Sequence, residues 1–342
     1  MIASTVTLAI VTISLVPYVS ANLETNYNEE EARSLAYLSG AAYSGDPKKC
    51  VKNVLPSDEK WEVVERIEKY CDMMWNTCSA YVIRSDVAKK FIVVYRGTTT
   101  SSQLFLQGAG AISGRAQFLA AGKVHPYFVN GVNYLWDDVS KHLNETQYKS
   151  YPVMFTGHSL GGAMASIAAM KTVLKGLRSS DQVKLVSFGQ PRVGGKDFVA
   201  KHTELVPYSF RVVHKHDMVP HIPPCTRDEN FVAGSDGSKP CDTKSDGFYH
   251  HGVEIWYPEG MAPGSPYKEC SGEPKNEDFN CSDQFVYSSV GNKIIADHAS
   301  YFDRVVRFPN FPIINHQKYS IMKRAKPVHN AVSSQLPEYA IE

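Results

Sequence analysis

The apolar positions of this chain fall into two rhythms that alternate along its length. Ala32, Leu35, Ala36, Ser39 and Ala42 recur at helical spacing, behind an Asn28 and Glu31 that resemble a capping pair. Gly45-Asp46-Pro47 should stop that helix. Val129, Val132, Leu135, Trp136, Val139 and Leu143 draw a second helical stripe that ends near Asn144. Between the two, Ser79 to Arg84 and Phe91 to Tyr95 predict strands joined by a polar turn at Ser85-Asp86. From residue 151 the alternation becomes regular. Strands are predicted over Tyr151 to Phe155, Val183 to Phe188, Phe210 to Val213 and Glu254 to Tyr257. Helices are predicted over Leu160 to Leu177 and Lys196 to His202. Strands that alternate with helices imply an α/β protein, with a mainly parallel central sheet covered by helices on both faces.

Both ends fall outside this pattern. Met1 to Val16 carries no charged side chain, Pro17 breaks the run, and Val19-Ser20-Ala21 offers small residues where a signal peptidase reads. Residues 1–21 therefore predict a signal peptide, since the apolar part is short for a membrane span. Residues 22–309 form the expected domain, and 310–342 read as a tail with little regular structure. No later run is long and apolar enough for a permanent membrane span.

Composition narrows the function classes. The 342 residues are 43% hydrophobic and 21% charged, which suits one large domain. Net charge is +1 and the basic runs are short, so no nucleic-acid partner is expected. Seven cysteines suggest three bridges in an oxidising, extracellular setting. Cys71 with Cys78, Cys225 with Cys241 and Cys270 with Cys281 would close short loops. Cys50 could instead join Cys71 or Cys78, which leaves the N-terminal assignment open. Asn144-Glu145-Thr146 and Asn280-Cys281-Ser282 are glycan acceptor sites, and Asn144 is preferred because Cys281 is expected in a bridge.

The chemistry centres on Phe155-Thr156-Gly157-His158-Ser159-Leu160-Gly161-Gly162. A G-x-S-x-G between an apolar strand and an Ala-rich helix is the setting of a nucleophile elbow. The turn is so tight that only glycine fits beside the serine. A serine nucleophile needs a base, and the base an orienting acid. Asp217 lies just past a strand that follows Ser159, whereas Asp181 precedes its strand and Asp197 falls in a helix. Among the later histidines, His221 is too close to Asp217, and His250 and His251 precede the last strand. His298 follows it and is the expected base. The oxyanion needs two donors. Leu160 N–H is one, and Thr98, in Tyr95-Arg96-Gly97-Thr98, is the candidate for the other. His214, His216 and His221 beside Asp217 suggest a metal site, but serine chemistry needs none, so no metal or cofactor is expected. His158 reads as a packing and hydrogen-bonding residue.

With these residues in view, the sequence resembles the class 3 lipase family, the fungal-type triacylglycerol lipases of the α/β-hydrolase superfamily. The resemblance runs from about Tyr27 to Phe308 through FIVVYRGTTT, KVHPYF, FTGHSLGGAMA, VSFGQPRVGG, FRVVHKHDMVPHIPP and ADHASYF, in that order. It implies Ser159, Asp217 and His298 as the triad, Thr98 and Leu160 as the oxyanion hole, and a Cys270–Cys281 bridge. It also implies a lid over residues 101–113, and the helical stripe of Leu104, Phe105, Gly108, Ala111 and Ile112 in that segment predicts that Leu104 and Phe105 meet substrate at an oil–water interface. The expected function is secreted hydrolysis of acylglycerol esters. A phospholipase A1 or a small-ester esterase would use the same triad, and an inactive lipid-binding carrier is the reading from another class.

Overall fold

The computed structural model describes residues 25–71, 75–99, 114–233, 237–272, 276–285, 292–302 and 304–305. The expected signal peptide, the expected tail, and Leu104 and Phe105 of the expected lid lie outside the described residues.

Helix α1 (Glu29–Ala41) starts where the sequence places it. The Asn28 side chain accepts the Glu31 N–H at 2.8 Å, and three glutamates fill the first turn, next to the positive end of the helix dipole. A short helix α2 (Lys48–Val54) follows. Strand β1 (Glu62–Tyr70) was not foreseen, and its burial explains why. It is an edge strand with one well-buried residue, Ile67, so it carries no apolar alternation to read. Strands β2 (Thr77–Ser85) and β3 (Lys90–Tyr95) form the expected hairpin. A small ribbon, β4 (Ala116–Gln117) with β5 (Lys123–Val124), stands outside the main sheet. Helix α3 (Pro126–Asn144) follows the second stripe, with proline in its first turn.

Strand β6 (Val153–His158) runs two residues later than expected because Pro152 cannot donate to a ladder. Helix α4 (Leu160–Leu174) ends three residues earlier than expected. Gly176, at φ +68°, donates to the Val173 carbonyl and Leu177 donates to Thr172, a left-handed glycine stop. Strand β7 (Val183–Phe188), helix α5 (Lys196–Leu205), strand β8 (Tyr208–His214) and strand β9 (Val253–Tyr257) complete the alternation. A three-residue strand β10 (Lys268–Cys270) adds an edge, and helix α6 (Asn292–Ala299) precedes the short strand β11 (Ser300–Tyr301).

The sheet order is β1-β2-β3-β6-β7-β8-β9-β10. Strands β3, β6, β7, β8 and β9 are parallel, and the outer pairs are antiparallel. This is the mainly parallel sheet of an α/β-hydrolase. Residues alternate between its faces. Phe91, Val93, Phe155 and Leu185 pack with α3 and α4 on one side, while Ile92, Val94, Met154 and Val186 pack with α1 on the other. Helix α4 is buried along nearly its whole length, from Leu160 to Thr172. Such a helix shows no polar face, and its length alone separates it from a strand.

Three disulfides join Cys71 to Cys78, Cys225 to Cys241 and Cys270 to Cys281, the short-loop pairing. Cys50 takes no part in them, and its thiol donates to the Tyr37 carbonyl.

Several charged side chains are buried with their bonding arranged. Arg178 donates to the carbonyls of Leu143, Tyr148, Tyr151 and Leu177, tying the end of α3 to the end of α4. Arg192, fully buried, donates to both carboxylate oxygens of Glu277 at 2.7 and 2.9 Å and to Asp283 at 3.1 Å. Asp283 also meets His221 and Arg227. Removing one member of such a group leaves the others desolvated and uncompensated. Arg192→Met should therefore destabilise the fold by about 3–5 kcal/mol. Urea unfolding followed by tryptophan emission measures this, and a loss below about 1 kcal/mol would show that Glu277 and Asp283 relax without Arg192.

Buried histidines set the acid limit. His202, in α5, lies with its ring 3.8 Å from that of His251, and among the described residues neither of its nitrogens has a hydrogen-bond partner. Burial pushes its pKa down to about 3, and burial also pushes His250 and His251 well below the ordinary histidine value. An unfolded chain binds these protons near pH 6.5 and the folded chain does not. Stability is thus full above pH 6.5 and falls as pH drops towards 3, by about 1.4 kcal/mol per pH unit for each histidine. Unfolding free energies measured from pH 7.5 to 4.5 should show this decline, and His202→Phe should reduce its slope by one proton.

Candidate active site

Ser159 joins β6 to α4 with φ +59° and ψ −132°. For a residue with a side chain this conformation costs about 1–3 kcal/mol, and surrounding contacts must hold it. The Ser159 N–H donates to the Phe188 carbonyl on β7 at 2.8 Å. Gly161 allows the close approach on the other side, since a Cβ there would collide with the Tyr95 carbonyl and lie 2.8 Å from the carbonyl carbon of Arg96. The loop at the end of β3 therefore sits directly on the first turn of α4. Ser159 Oγ is buried and, among the described residues, makes no hydrogen bond.

Asp217 lies three residues beyond the end of β8, in a turn where its N–H donates to the His214 carbonyl. Its carboxylate is fully buried and accepts three bonds. His298 Nδ1 meets Oδ2 at 2.9 Å, Tyr301 Oη donates to the same oxygen at 2.6 Å, and the Val219 N–H donates to Oδ1 at 2.9 Å. Burial alone would raise its pKa, but the charge of His298 and these three donors outweigh it and hold the carboxyl below its ordinary value. An ionised Asp217 can only accept, so Nδ1 of His298 donates to it and Nε2 is the ring nitrogen left for chemistry. Gly189, at φ +56°, lies under this pair, where a Cβ would come 2.7 Å from Asp217 Oδ2 and 2.9 Å from His298 Nδ1.

His298 lies in α6, one residue before its end, and its own backbone is held. His158 Nε2 meets the His298 carbonyl at 2.7 Å, and Tyr43 Oη meets His158 Nδ1 at 3.0 Å. Burial, with the nearby His298 as a smaller cause, pushes the His158 pKa down to about 3. His158 is therefore neutral, donating from Nε2 to the carbonyl and accepting from Tyr43. It connects α1's C-terminal loop, the Ser159 turn and α6. Its sequence reading as a packing and hydrogen-bonding residue matches this geometry.

The remaining histidines have other partners. His250 Nε2 meets the Pro220 carbonyl and His251 Nε2 meets Ser166 Oγ. His214 Nδ1 meets the Asp297 carbonyl, His221 Nδ1 meets Asp283, and the His216 ring rests against Phe285. The alternation that suggested a metal site thus spreads these rings over separate contacts. Thr98 is half-buried just past β3, and Leu160 is the first residue of α4, where a first-turn N–H has no carbonyl four residues before it inside the helix. Two residues of the site escaped the sequence reading. Tyr43 carries no local signal. Tyr301 stood three residues after His298, at a spacing that could have marked it as a second neighbour of the acid.

A family model described as Lipase (class 3) matches residues 92–227. Lipase ZK262.3 of Caenorhabditis elegans is 44% identical over 292 residues, covering 84% of this chain and 82% of its own. A lipase of Rhizopus niveus is 32% identical over 250 residues, covering 72% of this chain, which spans only 56% of the fungal protein. A solved structure described as a triacylglycerol lipase with a serine protease triad at its catalytic centre superposes with a TM-score of 0.62 at 25% identity. That superposition covers 83% of this chain and 98% of the other. The elbow, the order of the strands and these likenesses agree, and the chain belongs to the class 3 lipase family, carboxylic ester hydrolases of the α/β-hydrolase fold.

Proposed function

We propose that the chain hydrolyses the carboxylic esters of acylglycerols through an acyl-serine intermediate, with Ser159 as nucleophile, His298 as base and Asp217 as orienting acid. The observation that carries this reading is the buried bond from His298 Nδ1 to Asp217 Oδ2 beside a serine held at φ +59°. His298 Nε2 takes the proton of Ser159 Oγ as the oxygen attacks the ester carbonyl. The negative charge that develops on the carbonyl oxygen is received by the Leu160 N–H, at the positive end of α4, and by Thr98. Collapse of the tetrahedral adduct expels the alcohol, which takes its proton from His298. Water then attacks the acyl carbon and gives a proton to the same nitrogen, which returns it to Ser159 Oγ as the bond to serine breaks and the fatty acid leaves. The ionised Asp217 stabilises the imidazolium in both halves of the reaction. The solved triacylglycerol lipase with a serine protease triad supports this assignment.

The substrate is then a lipid or ester presented at an oil–water interface, and the enzyme works outside the cell. Three disulfides support an oxidising compartment. Among the described residues no helix is long and apolar enough to cross a membrane. Cleavage after Ala21 would release the mature chain. Asn144, exposed at the end of α3, is the glycan acceptor, whereas Asn280 is engaged with Asp278 and precedes a bridged cysteine.

Ser159→Ala should lower kcat on tributyrin by about 10⁴-fold or more while leaving the unfolding curve of the protein unchanged. Activity within tenfold of wild type would reject Ser159 as nucleophile. Asp217→Asn should cost about 10⁴-fold in kcat, because an amide favours the wrong tautomer of His298. If His298→Ala proved less damaging than His250→Ala, the base would be misassigned. A panel of p-nitrophenyl acetate, triolein and phosphatidylcholine separates acylglycerol hydrolysis from simple esterase and phospholipase activity.

A further inference from the structure

We infer that Tyr70 and Trp75, at the described end of the β1–β2 hairpin, are an anchor by which the enzyme holds to an uncharged lipid–water surface. The inference rests on the acylglycerol reading above and adds to it a binding element outside the catalytic groups.

The position of the tip follows from the register. Ala80 of β2 lies opposite Tyr95 of β3, and Tyr95 lies beside Gly157 of β6. From Gly157 the chain runs through His158 to Ser159, and from Tyr95 it runs through Arg96 to Thr98. Strand β2, read backwards from Ala80, continues in that same direction to Thr77, which pairs with Tyr70. Three residues of strand carry it about 10 Å beyond the level of Gly157. The hairpin therefore projects from the edge of the sheet that carries Ser159.

Two large aromatic side chains are exposed there. Tyr70 is 63% and Trp75 76% accessible, and their rings meet edge to face at 5.4 Å. Trp75 is held at φ +60°, a conformation costly for a bulky residue. The Cys71–Cys78 disulfide closes the hairpin just inside this pair, and the Cys71 N–H donates to the Asn76 carbonyl at 3.0 Å. Gly131 of α3 packs against the same disulfide, where a Cβ would lie 3.4 Å from Cys78 Sγ. The aromatic pair is thus carried on a braced support, which lowers the entropy lost on binding.

The tip is also joined to the candidate oxyanion loop. Arg96, buried and one residue before Gly97-Thr98, donates to Glu68 Oε1 at 2.8 Å and to the Thr77 carbonyl at 2.6 Å. A surface that receives the tip is therefore presented to the loop beside Ser159.

Charge selects the partner. Lys69 is paired with Asp138, and Glu68 with Arg66 and Arg96. Arg96 is buried, and among the described residues the solvent-accessible charges there, Arg66, Lys69, Glu68 and Asp138, are two of each sign, which gives an anionic membrane no hold. Trp and Tyr combine an apolar ring with a polar N–H or O–H, which suits the boundary between oil and water. The occupant is the surface of an aggregated neutral ester.

The test is flotation of the full-length secreted enzyme with phosphatidylcholine vesicles loaded with triolein, comparing wild type with a Tyr70→Ser/Trp75→Ser double variant. The bound fraction of the variant should fall about tenfold, and its triolein hydrolysis at limiting surface should fall with it. Hydrolysis of monomeric p-nitrophenyl acetate should stay within twofold of wild type, which excludes misfolding. Trp75→Phe should keep most of the binding. Adding phosphatidylglycerol should not strengthen wild-type binding. A double variant that floats as well as wild type overturns the inference. A wild-type enzyme that stays off the vesicles overturns it as well, and leaves the aromatic pair for a protein partner. Wild type that floats normally but fails to cleave triolein would instead reject the acylglycerol reading and leave the anchor standing.

Discussion

The structure depends on one strained residue. Ser159 can hold φ +59° only because β6 and α4 are locked together around it, and that lock requires a backbone approach that side chains would forbid. Gly161 lets the end of β3 press on the first turn of α4, and the Ser159 N–H reaches across to β7. The five parallel strands are thus more than a scaffold. The Ser159 turn lies at their carboxyl edge, and the strain there is offset by burial of α4 from Leu160 to Thr172.

Around that turn, polar groups are buried in matched sets. Asp217 accepts three bonds, so its charge survives full burial. His158 is neutral because burial disfavours its charged form, and a neutral ring can donate and accept at once. Its two bonds fix the backbone of His298, while Asp217 fixes the ring. The candidate base is therefore held at both ends by groups from four different parts of the chain. Arg192 plays the corresponding role further out, joining the loop after β7 to the acidic segment around Glu277 and Asp283. Asp283 in turn holds His221, four residues after Asp217.

The edges of the sheet are used differently from its centre. The parallel strands are buried on both faces, whereas β1 is largely solvated and bears surface ion pairs such as that of Glu65 with Lys141. Surface pairs of this kind contribute little. The disulfide at the tip of the hairpin supplies the rigidity that packing does not. This division leaves the hairpin able to carry exposed aromatic side chains that the central strands could not.

The sequence by itself determined the class of fold and the positions of most central elements, because buried strands and amphipathic helices carry their burial in their periodicity. β7 and the capped start of α1 are the clearest cases. It also singled out Ser159, Asp217 and His298, since the order of a strand, a turn and a helix restricts which residues can stand at the carboxyl edge of a sheet. Elements whose stability comes from distant partners carry no such record. β1 is polar along its exposed face, β10 has three residues, and α2 is a short helix with a single buried side chain. Tertiary structure alone decided that Tyr43 would reach His158 across 115 residues of chain, that Tyr301 would share Asp217 with His298, and that Tyr70 and Trp75 would project from the edge that carries Ser159. Hydrogen bonds and exposure at such separations depend on where whole elements come to rest, and no local period encodes that.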